Sequence, residues 1–127
     1  MSKPKFTIAI PTKNRLSNLK FTLKKIENLL DRKDVVCIIC DDGSDDDTFE
    51  YITKNYPEIK IFKNKKSKGI HFTRNLLLNN ANTPYILSID DDAHIITENV
   101  LEIVENYFTQ KPQVGLLSFR AFWNKDN

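Results

Sequence analysis

Three consecutive carboxylates, Asp90-Asp91-Asp92, stand at the end of the apolar run Tyr85 to Ile89. Adjacent acids repel one another at neutral pH, and that repulsion is tolerable in open water or where a divalent cation or bound protons neutralise it. Carboxylates without nearby cysteine or paired histidine suit a hard ion, Mg²⁺ or Mn²⁺. A second apolar run, Val35 to Cys40, ends the same way, in Asp41-Asp42-Gly43-Ser44-Asp45-Asp46-Asp47. Two buried strands that each deliver acids imply one shared pocket, because ligands of open α/β sheets bind beyond the carboxyl ends of the strands.

The elements that must position these acids alternate. Phe6 to Ile10 reads as a first strand, and Leu16, Leu19, Leu23, Ile26 and Leu30 mark a helical stripe after it. Val35 to Cys40 is a second strand, followed by a turn in which Ser44 and Asp45 are candidate caps for a helix carrying Phe49, Ile52 and Tyr56. Ile59 to Phe62 is a short third strand, and a lysine-rich loop leads through Gly69 into a helix with Leu76 and Leu77. Pro84 opens the fourth strand, Tyr85 to Ile89. Val100, Leu101, Val104 and Phe108 mark another helix, and Val114 to Phe119 reads as a fifth strand. This alternation with continuous apolar strands predicts an α/β fold: a mostly parallel, Rossmann-like sheet with helices on both faces and right-handed crossovers.

A chain of 127 residues builds one domain. The net charge of +2 is small, and eight of the seventeen acids sit in the two clusters, so nucleic acid is not the expected partner. Most of Lys60, Lys63, Lys65, Lys66 and Lys68 read as part of a solvated loop. Cys37 and Cys40 lie three apart on a strand and point to opposite faces; both are expected to be small core residues in a reducing compartment rather than a metal or disulfide pair. The apolar run near the N-terminus is too short for a signal peptide, and no run approaches the ~18 residues of a membrane span. A cytoplasmic location is expected. Phe122 and Trp123, large apolar residues with little chain left to cover them, read as an ordinary ragged terminus, with a cover from a longer parent chain or a homodimer contact as the alternative.

The glycines match neither phosphate-binding fingerprint, G-x-G-x-x-G or G-x-x-x-x-G-K-[ST]. Gly43 stands where a sharp turn and close backbone approach favour a residue without Cβ, and Gly69 stands just before a helix. Asp41 onward is not an EF-hand loop, because Gly43 occupies a ligand position and Asp46 the position that requires glycine.

Taken in order, four segments resemble the nucleotide-binding half of family 2 glycosyltransferases, which have the GT-A fold. Thr7-Ile8-Ala9-Ile10-Pro11-Thr12-Lys13-Asn14-Arg15 is similar to the first-strand motif, with Lys13 where an aromatic is more frequent. Asp41-Asp42-Gly43-Ser44-Asp45-Asp46-Asp47-Thr48 is similar to the acid-acid-Gly-Ser turn. Ser67 to Asn75 follows the Asn-x-Gly-x-x-x-Ala-Arg-Asn pattern, with Ser67 for the first Asn and Thr73 for Ala. Ile89-Asp90-Asp91-Asp92 fits the Asp-x-Asp motif. The match spans about residues 6 to 119, and on it the chain ends after about the fifth strand, ahead of the acceptor-binding part.

The resemblance implies roles. Pro11 and Thr12 line a nucleotide pocket through backbone contacts, with Asn14 and Arg15 beside them. Asp42 accepts a hydrogen bond from the base, uracil N3, while Asp41, Gly43 and Ser44 form the supporting turn. Gly69 and Arg74 lie near the base or diphosphate, where a forked cation is useful. Asp91 approaches the ribose, and Asp92 with Asp90 holds the Mg²⁺ or Mn²⁺ that bridges the diphosphate. His94 after the triplet reads as a surface or capping residue, with an approach to the cation as its alternative. The implied reaction is inverting transfer of a sugar from a nucleotide diphosphate sugar, UDP-linked, to a saccharide or lipid-linked acceptor in polysaccharide biosynthesis. Family members use a carboxylate general base in a later segment, and Asp126 is the one acid after Phe119.

Three rivals are distinguishable. A receiver-type Mg²⁺-binding signalling domain needs an acid pair after its first strand, where this chain has Pro11-Thr12. A sugar-nucleotide pyrophosphorylase needs a glycine-rich basic loop there, and Thr12 to Arg15 contains no glycine. A non-catalytic sugar-nucleotide-binding module shares the pocket and differs only in turnover.

Overall fold

The computed structural model describes residues 3–122. Elements follow in the order β1 (Phe6–Thr12), α1 (Leu16–Lys25), α2 (Glu27–Leu30), β2 (Val35–Asp41), α3 (Thr48–Asn55), β3 (Lys60–Lys63), α4 (Ile70–Asn80), β4 (Tyr85–Ser88) and α5 (Val100–Gln110). The chain divides into two compact units, one reaching to Ile96 and carrying the sheet, the other beginning at Thr97 and carrying α5.

The sheet runs β3-β2-β1-β4, and every pairing is parallel, with Ile8 opposite Cys37, Ala9 opposite Ser88 and Ile38 opposite Lys60. All seven residues of β1 are buried, as a central parallel strand requires. The connections from β1 to β2 and β2 to β3 step one way across the sheet, and the connection from β3 to β4 steps back past β1. Right-handed crossovers that travel in opposite directions lie on opposite faces, which sets α4 against α1 and α3. The pleat agrees. Ala9, Ile38 and Cys40 share one face and pack with Leu77, Leu76 and Ala81, while Ile8, Ile10 and Ile39 point to the other, where Leu19, Leu23 and Ile52 are fully buried.

The long helical stripe is two helices. α1 stops at Lys25 and α2 begins at Glu27, with Ile26, itself buried, in the break. Leu29 rather than Leu30 is then the buried residue of the second piece. The caps expected before α3 also differ. Asp47 precedes the helix, and it is Asp46 that accepts from the Thr48 backbone N–H at 3.1 Å and from the Thr48 hydroxyl, while Ser44 and Asp45 bond to Asn14.

The expected fifth strand does not form. Val114 to Phe119 is irregular and Leu116 is 79% exposed. An apolar run supplies strand propensity, but a strand exists only where a neighbour takes its backbone hydrogen bonds, and among the described residues this segment pairs with none. Within the unit beginning at Thr97, Val100, Leu101 and Val104 are the buried residues of α5. Phe122 is 68% exposed; Trp123 and Asp126 lie outside the described residues. Cys37 and Cys40 are both free and on opposite faces as expected, and burial pushes their thiols up to about 12 and about 11, so neither supplies a thiolate near neutrality. No described helix is long and apolar enough to cross a membrane.

Gly43 and Gly69 have φ of +72° and +90°. A Cβ at Gly43 would stand 2.7 Å from the Ser67 backbone nitrogen, whereas one at Gly69 would meet open space. Gly69→Ala is therefore expected to cost only backbone strain, about 1–3 kcal/mol, and Gly43→Ala more, by about 1 kcal/mol or above, because rigid backbone must also move. Urea unfolding of the two variants checks the order; a Gly43→Ala protein as stable as the wild type would mean that the turn and the 64–69 loop are not packed together.

Candidate functional site

The strand order reverses between β1 and β4, and at such a switch point the loops leave in opposite directions and open a crevice beyond the strand ends. A cleft of about 520 Å³ lies there. Its walls come from three places: Pro11 and Thr12 at the end of β1 with Lys13 and Arg15 after it; Asp42 after β2 with Ser67 and Gly69 before α4 and Ile70, Thr73 and Arg74 in its first turns; and the triplet Asp90 to Asp92 after β4.

The triplet is held at its middle member. Thr12 and Asp91 keep the β1–β4 register three steps past the end of the ladder, and the Thr12 hydroxyl donates to Asp91 Oδ2 at 2.9 Å. The Thr22 hydroxyl, from α1, donates to the Asp91 carbonyl at 2.6 Å. Asp91 is 6% exposed. Burial raises its carboxyl above the ordinary range, against the lowering effects of the Thr12 bond and Arg15, and Asp92 and Asp90 add to the rise.

The two outer acids face guanidinium groups from opposite walls. Arg15 reaches Asp92 Oδ2 at 2.8 Å and Asp91 Oδ1 at 3.4 Å, and Arg74 reaches Asp90 Oδ1 at 2.9 Å. Part of the neutralisation expected from a cation is thus supplied by the chain. Two guanidinium groups against three carboxylates still leave one negative charge.

Asp42 is the centre of the second cluster. Its Oδ1 accepts from the Asn64 side-chain amide at 2.8 Å and the Lys68 backbone N–H at 2.7 Å; its Oδ2 accepts from the Ser67 hydroxyl at 2.7 Å and the Gly69 backbone N–H at 3.0 Å. Burial pushes the carboxyl up, yet these four donors outweigh it and hold Asp42 down at about 2. The carboxylate pins the 64–69 loop and the start of α4 to the end of β2.

Of the residues expected at the site, Pro11, Thr12, Arg15, Asp42, Gly69, Arg74, Asp90, Asp91 and Asp92 line the cleft. Asn14, Asp41, Gly43 and Ser44 are not in its wall; they tie the two turns behind it. The Asn14 N–H donates to Ser44 Oγ at 2.8 Å and the Asp45 N–H to Asn14 Oδ1 at 2.7 Å. Asp41 Oδ1 accepts from the Ser44 N–H at 2.9 Å, and its Oδ2 is buried without a partner. His94 is set edge-on against Phe21, ring centres 4.9 Å apart, and is not in the cleft wall. Lys13, Ser67, Ile70 and Thr73 line the cleft without having been singled out as site residues. All four stood within quoted motifs, Lys13, Ser67 and Thr73 as departures from them. Thr22 and Asn64 had no sequence signal, since each meets its carboxylate partner only through the fold.

The donor set fits a hard divalent cation in a limited sense. Among the described residues no three His, Cys, Asp or Glu side chains converge as a cage. All three acids line the cleft, Asp91 buried and held by Thr12, Asp90 and Asp92 about half exposed. One or two carboxylates are what Mg²⁺ or Mn²⁺ uses when water and substrate phosphates complete its shell.

Residues 7–126 match the family model described as Glycosyl transferase family 2. Among curated proteins, the chain is 34% identical over 98 residues to a GalNAc(5)-diNAcBac-PP-undecaprenol beta-1,3-glucosyltransferase of Campylobacter jejuni, covering 74% of this chain and 31% of that protein. It is 35% identical over 80 residues to a UDP-Glc:alpha-D-GlcNAc-diphosphoundecaprenol beta-1,3-glucosyltransferase of Escherichia coli, covering 62% and 32%. The chain thus spans about a third of the length of these relatives. A mannosyltransferase from Pyrobaculum calidifontis, solved in complex with GDP-Man and Mn²⁺, shares the fold with a TM-score of 0.75 at 20% identity, over 91% of this chain and 35% of that one.

Asp42 makes stability acid-sensitive. A carboxyl held below its unfolded value stabilises the native state above the unfolded pKa near 4, and that contribution is lost as pH falls towards 2. Its size is about 2 kcal/mol. Between pH 7 and pH 2.5 the wild type is expected to lose about that much more unfolding free energy than Asp42→Ala, read from urea titrations at both pH values; parallel losses would remove Asp42 as the cause.

Proposed function

The chain belongs to glycosyl transferase family 2, and from that membership we propose that residues 1–127 form the donor-binding domain of an inverting, metal-dependent transferase. On this reading it takes a UDP-sugar, and the sugar passes to a hydroxyl of a lipid-diphosphate-linked saccharide. The names of the two curated relatives support the acceptor class, and the second also names UDP-Glc as donor. The observation that carries the reading is the cleft at the β1–β4 switch point, where a carboxylate triplet short of one positive charge faces two arginines.

A Mg²⁺ or Mn²⁺ ion bound by Asp92 with Asp90 would stabilise the charge that grows on the departing nucleoside diphosphate. The chain's own groups do the rest of the donor binding. Pro11 and Thr12 present backbone to the nucleoside, Asp91 faces the ribose hydroxyls, and Arg74 offers a forked cation to the diphosphate. Asp42 reads the base. Three of its four donors are fixed by backbone or by the Asn64 amide, and the fourth, the Ser67 hydroxyl, rotates freely. Uracil N3–H takes the lone pair that Ser67 releases, and the Ser67 hydroxyl turns to another acceptor.

Two measurements test this. In calorimetry, UDP is expected to bind about tenfold or more tightly with Mn²⁺ than with a chelator, and Asp92→Asn to abolish most of that difference by removing a ligand charge while keeping the shape; undiminished metal dependence in Asp92→Asn would overturn the assignment. Cytosine N3 carries no hydrogen, so Asp42→Ala is expected to weaken UDP more than CDP, by about fivefold or more for one lost charged hydrogen bond. Equal losses would leave Asp42 with the loop-pinning role alone.

A further inference from the structure

Arg15 is bound to the wrong partner for a residue that serves only the donor. Its guanidinium is paired at 2.8 Å with Asp92, a carboxylate of the cleft wall. A cation and a guanidinium cannot both hold one carboxylate edge at close range without mutual repulsion. The pair is also weakly held, since both side chains are 46% exposed and ion pairs in that setting contribute little.

The backbone beneath Arg15 is fixed by contrast. Asn14, in the left-handed region with φ +52°, is tied on both its N–H and its side chain to Ser44 and Asp45. The Leu16 N–H donates to Asp46 Oδ2 at 3.3 Å, and the Arg15 carbonyl accepts the Leu19 N–H at 2.9 Å. Arg15 therefore has an anchored main chain and a side chain free to swing about it. Its second contact, Nε to Asp91 Oδ1 at 3.4 Å, is to the buried, threonine-held carboxylate, which serves as a pivot.

We propose that Arg15 is an exchangeable counter-ion: it pairs with Asp92, yields that carboxylate to the divalent cation, and turns about Asp91 onto the donor's diphosphate. The inference rests on the metal-dependent reading above and adds that Arg15 competes with the cation and assists the nucleotide. These are effects of opposite sign on two ligands, which a residue that merely binds diphosphate or merely supports the fold does not give. By displacing Arg15 from Asp92, the cation makes the guanidinium available to the nucleotide, and by reciprocity the nucleotide, in holding Arg15, favours the cation. Arg74 pairs with Asp90 in the same way but approaches from α4, and what sets Arg15 apart is its second contact, to the buried Asp91.

The test is Mn²⁺ binding by the 127-residue chain without nucleotide, followed by the electron paramagnetic resonance signal of the free ion, together with UDP titration at saturating Mn²⁺. Arg15→Gln is expected to bind Mn²⁺ alone about three- to tenfold more tightly than the wild type, and UDP at saturating Mn²⁺ about three- to tenfold more weakly, the range of an exposed ion pair plus one removed positive charge. Arg15→Lys, which keeps the charge but not the fork spanning two carboxylates, is expected between the two; it also decides the matter should Arg15→Gln fail to fold, as judged by thermal melting. Unchanged or weaker Mn²⁺ binding in these variants, beside a wild type that binds Mn²⁺ and UDP together, would overturn the exchange and leave the metal-dependent reading standing. A wild type that binds no Mn²⁺ even with UDP present would overturn both.

Discussion

Charge repulsion among Asp90, Asp91 and Asp92 is the constraint around which the sheet-bearing unit is arranged. Three carboxylates in sequence at a strand end cannot all be solvated equally, because the strand delivers the middle one towards the interior. The fold answers with a buried hydroxyl for Asp91, from Thr12, and with one guanidinium for each outer acid, from Arg15 and Arg74. Each answer comes from a different element: the end of β1, the loop after it, and α4. The triplet thereby fastens both sides of the β1–β4 crevice, and its residual negative charge is what a divalent ion would complete.

The second acid cluster works by hydrogen bonding rather than by ion pairing. Asp42 has no cation beside it in its bonding set and yet stays ionised down to about pH 2, because two backbone N–H groups, an amide and a hydroxyl converge on it. Such a carboxylate organises the loop from Asn64 to Gly69, which otherwise has no regular structure to give it shape. The absence of a side chain at Gly43 lets that loop lie against the turn. Acids that read alike in sequence are thus used for opposite ends, one group left short of positive charge and the other saturated with donors.

These two solutions also divide the site into fixed and movable parts. Asp42, Asp91 and Thr12 are buried and bonded, so they hold fixed places in the cleft wall. Arg15, Arg74, Asp90 and Asp92 are about half exposed and joined by pairs that cost little to break. The buried groups keep the walls in place, while the exposed pairs let charge be rearranged without unfolding them.

The sequence by itself determined the strand–helix alternation through β4, the two acid clusters at strand ends, and most of the cleft wall, because these depend on local periodicity and on motif order. Pro11, Arg15, Asp42, Arg74 and the triplet were all legible in that way. What the tertiary structure decided was who meets whom. Thr22 and Asn64 are silent in sequence, and they reach Asp91 and Asp42 across 69 and 22 residues only once the helices and loops are packed. The segment Val114 to Phe119 has a strand's composition and no strand's pairing, because a ladder needs a partner that propensity does not supply. The pairing of Arg15 and Arg74 with the triplet follows the same rule. Charges near each other in space obey Coulomb's law regardless of their distance along the chain, so the electrostatic balance of the cleft is a property of the fold and not of any motif.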